Sequence, residues 1–150
     1  MAQTLTSILL HVVFSTKNRA PDIRPSIRER LWRYMARILT SSGAKVHIIN
    51  GGLDHVHILF TLPPTSCLAD LMRLAKTNSS RWLRRQFPSQ SGFAWQPGYA
   101  AFSVSHSKFD GVFEYIAHQE RRHRSRSFEE ELVSLLKKNK LEFEEKYLWS

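Results

Sequence analysis

The chain has 150 residues, a single cysteine and a formal net charge of +9 at pH 7. One domain is the expectation at this length, and one cysteine excludes both an intramolecular disulfide and a zinc site built from several cysteines. A sequence pI of about 10.1 favours a polyanionic partner, most commonly nucleic acid, although many basic surfaces bind nothing.

The N-terminal segment contains an apolar run that is too short to span a bilayer and has no basic region before it. We therefore expect neither a signal peptide nor a transmembrane helix. The expected protein is soluble, reduced and cytoplasmic, with no membrane partner.

The first half of the chain alternates between predicted strands and a helix. Ser7–Ser15 is rich in β-branched and apolar residues and predicts a buried strand. A helix begins at Pro25 and ends at Gly43. Two strands follow, Lys45–Ile49 and His55–Thr61, joined by a turn of hairpin length.

The second half continues the pattern. A long helix is predicted up to about Phe87, then a strand over Tyr99–Ser105 and a helix over Lys108–His123. Ser127 and Glu130 form a capping box for a final helix. The element order predicts an α+β, ferredoxin-like sandwich, in which helices cover one face of a mostly antiparallel sheet.

The segment DHVHI at 54–58 carries the most chemical information. His55 and His57 lie two residues apart on a strand, so both side chains project from the same face and can converge on one metal ion. Asp54 is a candidate acceptor that orients an imidazole ring. Two histidines on a solvated sheet face are the alternative interpretation. Four other histidines are interpreted as structural or solvent-facing: His11, His47, His106 and His118.

A second candidate lies on the predicted helix Lys108–His123. Tyr115 and Gln119 are four residues apart and therefore neighbours on one side of a helix. They lie at the margin of the apolar stripe, where Tyr115 is either a site residue or an amphipathic side chain at the edge of the core.

Basic residues are concentrated in the second long helix and in the segment ERRHRSR at 120–126. Arginine pairs with phosphate oxygens, and a nearby aromatic side chain such as Trp82 is typical of a groove for single-stranded nucleic acid. A solvated charge run, with Trp82 in the core, is the alternative. The candidate DNA contacts are Lys76, Asn78, Arg81, Arg84, Arg85, Arg121, Arg122 and Arg124.

Together these segments resemble the HUH single-tyrosine transposases of simple bacterial insertion sequences and their relatives associated with repetitive extragenic palindromes. The likeness extends over nearly the whole chain. It includes HVVFSTKNR at 11–19, GGLDHVHILFTLPP at 51–64, LAKTNSSRWL at 74–83, FAWQPGYAAFSVS at 93–105, FEYIAHQERRH at 113–123 and KYLW at 146–149. His118 departs from the family, which often has asparagine there.

The resemblance implies that His55, His57 and Gln119 hold Mg²⁺ or Mn²⁺ and that Tyr115 is the nucleophile. Such an enzyme cuts and rejoins single-stranded DNA at hairpin-flanked ends through a 5′-phosphotyrosine intermediate. The resemblance also implies one HUH transposase domain over 1–150, and a homodimer in which the tyrosine helix docks against the histidine pair of the partner. The location it implies is the bacterial cytoplasm, with nucleoid association when DNA is bound.

Two other functions fit part of the sequence. A basic ferredoxin-like sheet could bind single-stranded nucleic acid without catalysis, as a domesticated protein of the same fold. A phosphodiesterase that uses paired histidines as acid and base would need a second histidine motif on a partner strand, and the sequence shows none.

Overall fold

The computed structural model describes residues 2–122 and 127–148. Its strands are β1 (Leu9–Ser15), β2 (Lys45–Gly51), β3 (His55–Thr61) and β4 (Ala100–Ser103). Its α-helices are α1 (Pro25–Ser41), α2 (Leu68–Gln86), α3 (Phe109–Ala117), α4 (Gln119–Arg122), α5 (Phe128–Lys138) and α6 (Glu145–Leu148). None of the helices in these ranges combines the length and apolar character needed to cross a membrane.

The four strands form one sheet in the order β2-β3-β1-β4, and each neighbouring pair is antiparallel. This is the strand order of a ferredoxin-like sandwich, so the fold class predicted from the sequence is confirmed. β1 and β3 occupy the centre of the sheet, with Val13 opposite His57 in the register. The histidine pair therefore lies on a central strand.

Helices α1 and α2 cover one face of the sheet. Alternate side chains of the central strands point into this layer because successive residues of a strand face opposite sides. The layer includes Val12, Phe14, Val56, Ile58 and Phe60 from the sheet and Leu31, Met35, Leu71 and Ala75 from the helices. These residues form the larger of the hydrophobic cores.

The other face is covered as well, so the prediction of helices on one face only is wrong. Helix α5 packs there through Phe128, Leu132 and Leu136, which contact Val13 and Phe102 of the sheet. Helix α3 adds a neighbouring cluster on the same face, centred on Leu9, Leu59 and Ile116. The histidine-bearing face is consequently buried beneath two C-terminal helices.

The helix predicted over Lys108–His123 is interrupted at His118. This residue leaves the helical conformation, with φ −107° and ψ 32°, and separates α3 from α4. Its Nδ1 atom lies 2.8 Å from the carbonyl oxygen of Glu114, which gives that carbonyl a partner at the end of α3. Further along, the predicted N-cap of α5 is confirmed, because Ser127 Oγ accepts a hydrogen bond from the Glu130 amide at 3.2 Å.

Candidate active site

His55 and His57 lie side by side on the face of β3 that α3 and α5 cover. Their exposed fractions are 1% and 0%, so the interpretation as histidines on a solvated face is wrong. The ring centroids are 5.2 Å apart and the rings are nearly perpendicular, at 84°. A buried polar ring needs hydrogen-bond partners, and both histidines have them.

Two of the partners of His55 are residues that the sequence singled out. Asp54 Oδ1 lies 2.9 Å from His55 Nδ1, in the position expected of an orienting carboxylate. Gln119 Oε1 lies 3.0 Å from His55 Nε2. Residues 64 positions apart in the chain thus meet, because α4 begins directly over β3 after the break at His118.

Glu131 belongs to the same cluster, and the sequence analysis missed it. Its Oε1 atom is 2.9 Å from His57 Nε2 and 3.8 Å from His55 Nε2, while Oε2 accepts a hydrogen bond from Gln119 Nε2 at 3.2 Å. One signal in the sequence points to this residue. Glu131 falls within the apolar stripe that Phe128 and Leu132 form on α5, where a carboxylate is buried only with partners.

The donor set fits a divalent cation. His55, His57 and Glu131 each offer one ligand atom, and these atoms lie within 4.8 Å of one another. The Gln119 carbonyl oxygen adds a neutral donor beside them. Two imidazole nitrogens with carboxylate and amide oxygens form a mixed nitrogen and oxygen donor set that can hold a divalent metal ion. Glu131 also brings a negative charge that the neutral trio of His55, His57 and Gln119 lacks.

Tyr115 borders this cluster from α3. Its half-buried ring meets His57 edge-on, with centroids 5.8 Å apart, and meets His11 at 6.3 Å. Gln119 Nε2 lies 3.4 Å from the Tyr115 carbonyl oxygen, which links the two residues across the end of α3. The tyrosine, the glutamine and the histidine pair therefore come together within one chain.

His11 is buried and structural, which is one of the two roles that the sequence predicts for it, and it contacts the histidine pair. It lies on β1, on the same sheet face as the pair, and its Nε2 atom is 2.8 Å from His57 Nδ1. Burial, together with a smaller effect of the neighbouring His57, lowers the pKa of His11 to about 3, although Glu131 partly opposes the shift. His11 is accordingly neutral at pH 7.

A cleft of about 490 Å³ opens beside the cluster and is lined by Asp54, His55, Gln119 and Arg28 among others. Arg28 Nη2 donates to the carbonyl oxygen of Ile23 at 3.2 Å. Its Nε atom is buried and has no hydrogen-bond partner among the residues that the structure describes. Burial lowers the pKa of Arg28, but a guanidinium stays charged at neutral pH.

The predicted DNA contacts on α2 divide into two groups. Lys76 and Arg84 are tied to the loop before β4. Lys76 Nζ donates to the carbonyl oxygens of Gln96 and Gly98 at 2.9 and 2.5 Å, and Arg84 Nη1 donates to that of Phe93 at 3.0 Å. Burial lowers the pKa of Lys76 to about 8.

The other group lies away from this loop. Arg81 and Arg85 are exposed and Asn78 is half-buried. Trp82 stacks on Tyr34 of α1 with centroids 4.6 Å apart, so its ring is engaged between the two helices. Of the C-terminal candidates, Arg121 and Arg122 belong to α4, whose arginine side chains are not described, and Arg124 lies outside the described residues.

Comparison with known proteins identifies the family of this chain. The family model described as "Transposase IS200 like" matches residues 4–119. The ISDra2 transposase TnpA of Deinococcus radiodurans is 24% identical over 114 residues, which cover 73% of this chain and 81% of the relative.

Two solved structures share the fold. A Deinococcus radiodurans R1 protein described as a transposase aligns with a TM-score of 0.64 and 22% identity, over 79% of this chain and 95% of its own. A REP-associated tyrosine transposase bound to a REP hairpin aligns with a TM-score of 0.61 and 13% identity, over 82% of this chain and 74% of its own. The family match covers most of the chain and contains His55, His57, Tyr115 and Gln119. The chain belongs to the family of IS200-like transposases.

Proposed function

We propose that this transposase cuts and rejoins single-stranded DNA at hairpin-flanked ends, with Tyr115 as the nucleophile. The observation that carries the proposal is the convergence of two imidazoles, an amide and a carboxylate beside one tyrosine. The hairpin bound by the REP-associated relative supports the choice of substrate.

The proposed reaction is a transesterification. The Tyr115 hydroxyl oxygen attacks the scissile phosphorus and its proton leaves to solvent, while the bond from phosphorus to the 3′ oxygen breaks. The departing 3′ oxygen takes up a proton and becomes a free 3′-OH. A 3′-OH later attacks the phosphotyrosine in the reverse sense, which restores the tyrosine hydroxyl and rejoins DNA. One phosphoester replaces another at each step, so no outside energy source is required.

A phenol with an ordinary pKa near 10 is a weak nucleophile at pH 7 and needs assistance. A divalent ion held by His55, His57, Gln119 and Glu131, for which we propose Mg²⁺ or Mn²⁺, would supply Lewis-acid polarisation of the scissile phosphate. Asp54 holds His55 from the side opposite Gln119, which orients the ring toward the cluster.

Positive charge for the flanking phosphates is available in two places. Arg28 lies in the cleft that reaches His55 and Gln119, and its guanidinium can pair with a phosphate oxygen. Lys76 lines a second groove of about 480 Å³ together with Trp95 and Tyr99. Trp95 is buried, but Tyr99 is exposed, and a cation beside an exposed aromatic ring is the arrangement that binds single strands. We propose that the DNA contacts these two surfaces, and that Asn78, Arg81, Arg84, Arg85, Arg121, Arg122 and Arg124 extend them.

The homodimer remains a prediction. In this chain Tyr115 lies against the histidine pair of the same chain, so a composite site is not required to bring these groups together. A dimer would serve to hold two DNA ends, one in each site.

The decisive experiment is a cleavage assay with labelled single-stranded hairpin DNA in Mn²⁺ or Mg²⁺, analysed on a denaturing gel. We expect a metal-dependent covalent adduct with the wild-type protein and none with Tyr115→Phe, which lacks only the attacking oxygen. DNA affinity of the variant should remain within about twofold, because the hydroxyl is not a phosphate-binding cation.

Tyr34→Phe is the matched control, because Tyr34 stacks on Trp82 between α1 and α2 and not on the histidine pair. This variant should form the adduct at the wild-type level. An adduct with Tyr115→Phe would refute the nucleophile assignment. Tight binding without any adduct, on the DNA that flanks the chain's own coding sequence, would favour a nucleic-acid-binding protein without catalysis.

A further inference from the structure

His11 stands in the middle of the sheet with almost no access to solvent. Its side chain is 4% exposed and is enclosed by the rings of Phe102 and Tyr115, whose centroids lie 5.8 and 6.3 Å away. An apolar residue would fill this place at lower cost, because a buried imidazole must have its nitrogens satisfied. The presence of a histidine here therefore calls for a polar partner.

That partner is His57. His11 Nε2 lies 2.8 Å from His57 Nδ1, and the two rings are nearly parallel, at 23°, with centroids 5.1 Å apart. The register explains the contact. Val13 is directly opposite His57, and His11 is two residues further along β1 on the same face. The opposite edge of His57 presents Nε2 to Glu131 Oε1 at 2.9 Å.

We infer that His11 is a positioning residue for His57, accepting the Nδ1–H of His57 so that Nε2 keeps its lone pair directed into the cluster with Glu131. The inference deepens the proposed function, since it rests on the metal site proposed there. Ligating imidazoles in general have their second nitrogen held by an outer partner, which fixes the ring and its tautomer.

The two histidines of the pair are then held by different kinds of group. Asp54, a carboxylate, holds Nδ1 of His55, whereas His11, a neutral ring, holds Nδ1 of His57. An imidazole acceptor at Nδ1, on the edge of the His57 ring opposite Glu131, orients the ring without placing a second carboxylate against it.

A direct ligand role for His11 is a different arrangement. The atom that His11 presents to the cluster is already engaged with His57 Nδ1, and the group of converging ligand atoms consists of His55, His57 and Glu131 in the described part of the chain. Removal of a ligand lowers the number of imidazoles bound to the cation, whereas removal of a positioning residue leaves that number unchanged.

The test is Mn²⁺ binding by the purified full chain without DNA, followed by electron paramagnetic resonance. His11→Leu removes the acceptor, whereas His11→Gln replaces it with an amide oxygen. We expect affinity to fall about 10- to 100-fold in His11→Leu and to recover to within a few-fold of wild type in His11→Gln. His47→Leu is the matched control, because His47 lies on the edge strand β2 and bonds Thr61 at the end of β3. This variant should bind Mn²⁺ as the wild type does.

Pulsed resonance counts the imidazole nitrogens coupled to Mn²⁺, and a positioning role predicts two in wild type and in His11→Gln. Wild-type affinity in His11→Leu would overturn the inference, as would loss of one coupled nitrogen in His11→Gln. A wild-type chain that binds no Mn²⁺ would overturn the proposed metal site itself. Thermal unfolding of each variant shows whether a loss of Mn²⁺ affinity comes from misfolding. If His11→Leu is misfolded, the Mn²⁺ affinity and the nitrogen count of His11→Gln decide whether the inference holds.

Discussion

Glu131 determines the charge of the proposed metal site. His55, His57 and Gln119 are neutral donors, so a divalent ion held by them alone would keep its full double charge. The carboxylate of Glu131 contacts both histidines and removes part of that charge, while it raises the affinity for the cation. The balance between binding the metal and polarising the phosphate thus depends on a single buried side chain.

Glu131→Gln tests this dependence because it preserves the shape and removes the charge. We expect Mn²⁺ affinity to fall about 10- to 100-fold, as measured by titration calorimetry without DNA. Glu130→Gln is the matched control on the preceding residue, which is exposed on the same helix and should bind Mn²⁺ as the wild type does. Unchanged affinity in Glu131→Gln would remove the carboxylate from the metal site.

At the scale of elements, the turn between β2 and β3 fits closely around His55. A Cβ atom on Gly51 would collide with the backbone oxygen of His55, and one on Gly52 would lie 2.8 Å from Cε1 of the His55 ring. Both positions lack the space for a larger residue, so the hairpin that carries the histidine pair depends on glycine here. Glycine in this turn is a packing requirement of the site.

Gly52→Ala should therefore displace the His55 ring and disturb its hydrogen bond to Asp54. We expect a several-fold loss of Mn²⁺ affinity together with a fall of about 1 to 3 kcal/mol in the free energy of unfolding, measured in urea. Gly92→Ala is the control, because a Cβ atom there meets nothing within 4 Å. Equal metal affinity in both variants would show that the turn tolerates a side chain.

At the scale of the whole molecule, the positive charge is distributed unevenly. The formal net charge is +9, yet acidic residues outnumber basic ones over 127–150. Helix α2 carries exposed arginines, whereas α5 combines three acidic residues in its first turn with two lysines in its last. We expect the DNA backbone to follow the surface that includes α2.

The salt dependence of DNA binding tests this path. The double variant Arg81→Gln, Arg85→Gln should reduce the slope of log affinity against log salt by about 0.7 for each phosphate that the protein no longer neutralises. The double variant Lys137→Gln, Lys138→Gln removes the same charge from exposed positions at the end of α5 and should leave the slope unchanged. Equal slopes for the two variants would mean that net charge alone, and not α2, attracts the DNA.

The strands, the long helices and the fold class were predictable from the amino-acid sequence, because these depend on local periodicity and on turn residues. The two-residue spacing of His55 and His57 placed both on one face of a strand without knowledge of the fold. The break at His118 was not predictable from spacing, because the polar run after Ala117 contains neither glycine nor proline to end the helix there. A buried contact of Gln119 supports the bend.

Which distant residues complete the site depends on the tertiary structure. Glu131 and His11 reach His57 from elements 74 and 46 positions away in the chain, and no local pattern specifies such contacts. The covering of the histidine face by α3 and α5 likewise follows from packing. A strand is buried on one face or on both depending on which helices lie over it. Long-range packing of the helices therefore decided that the face with His55 and His57 is buried.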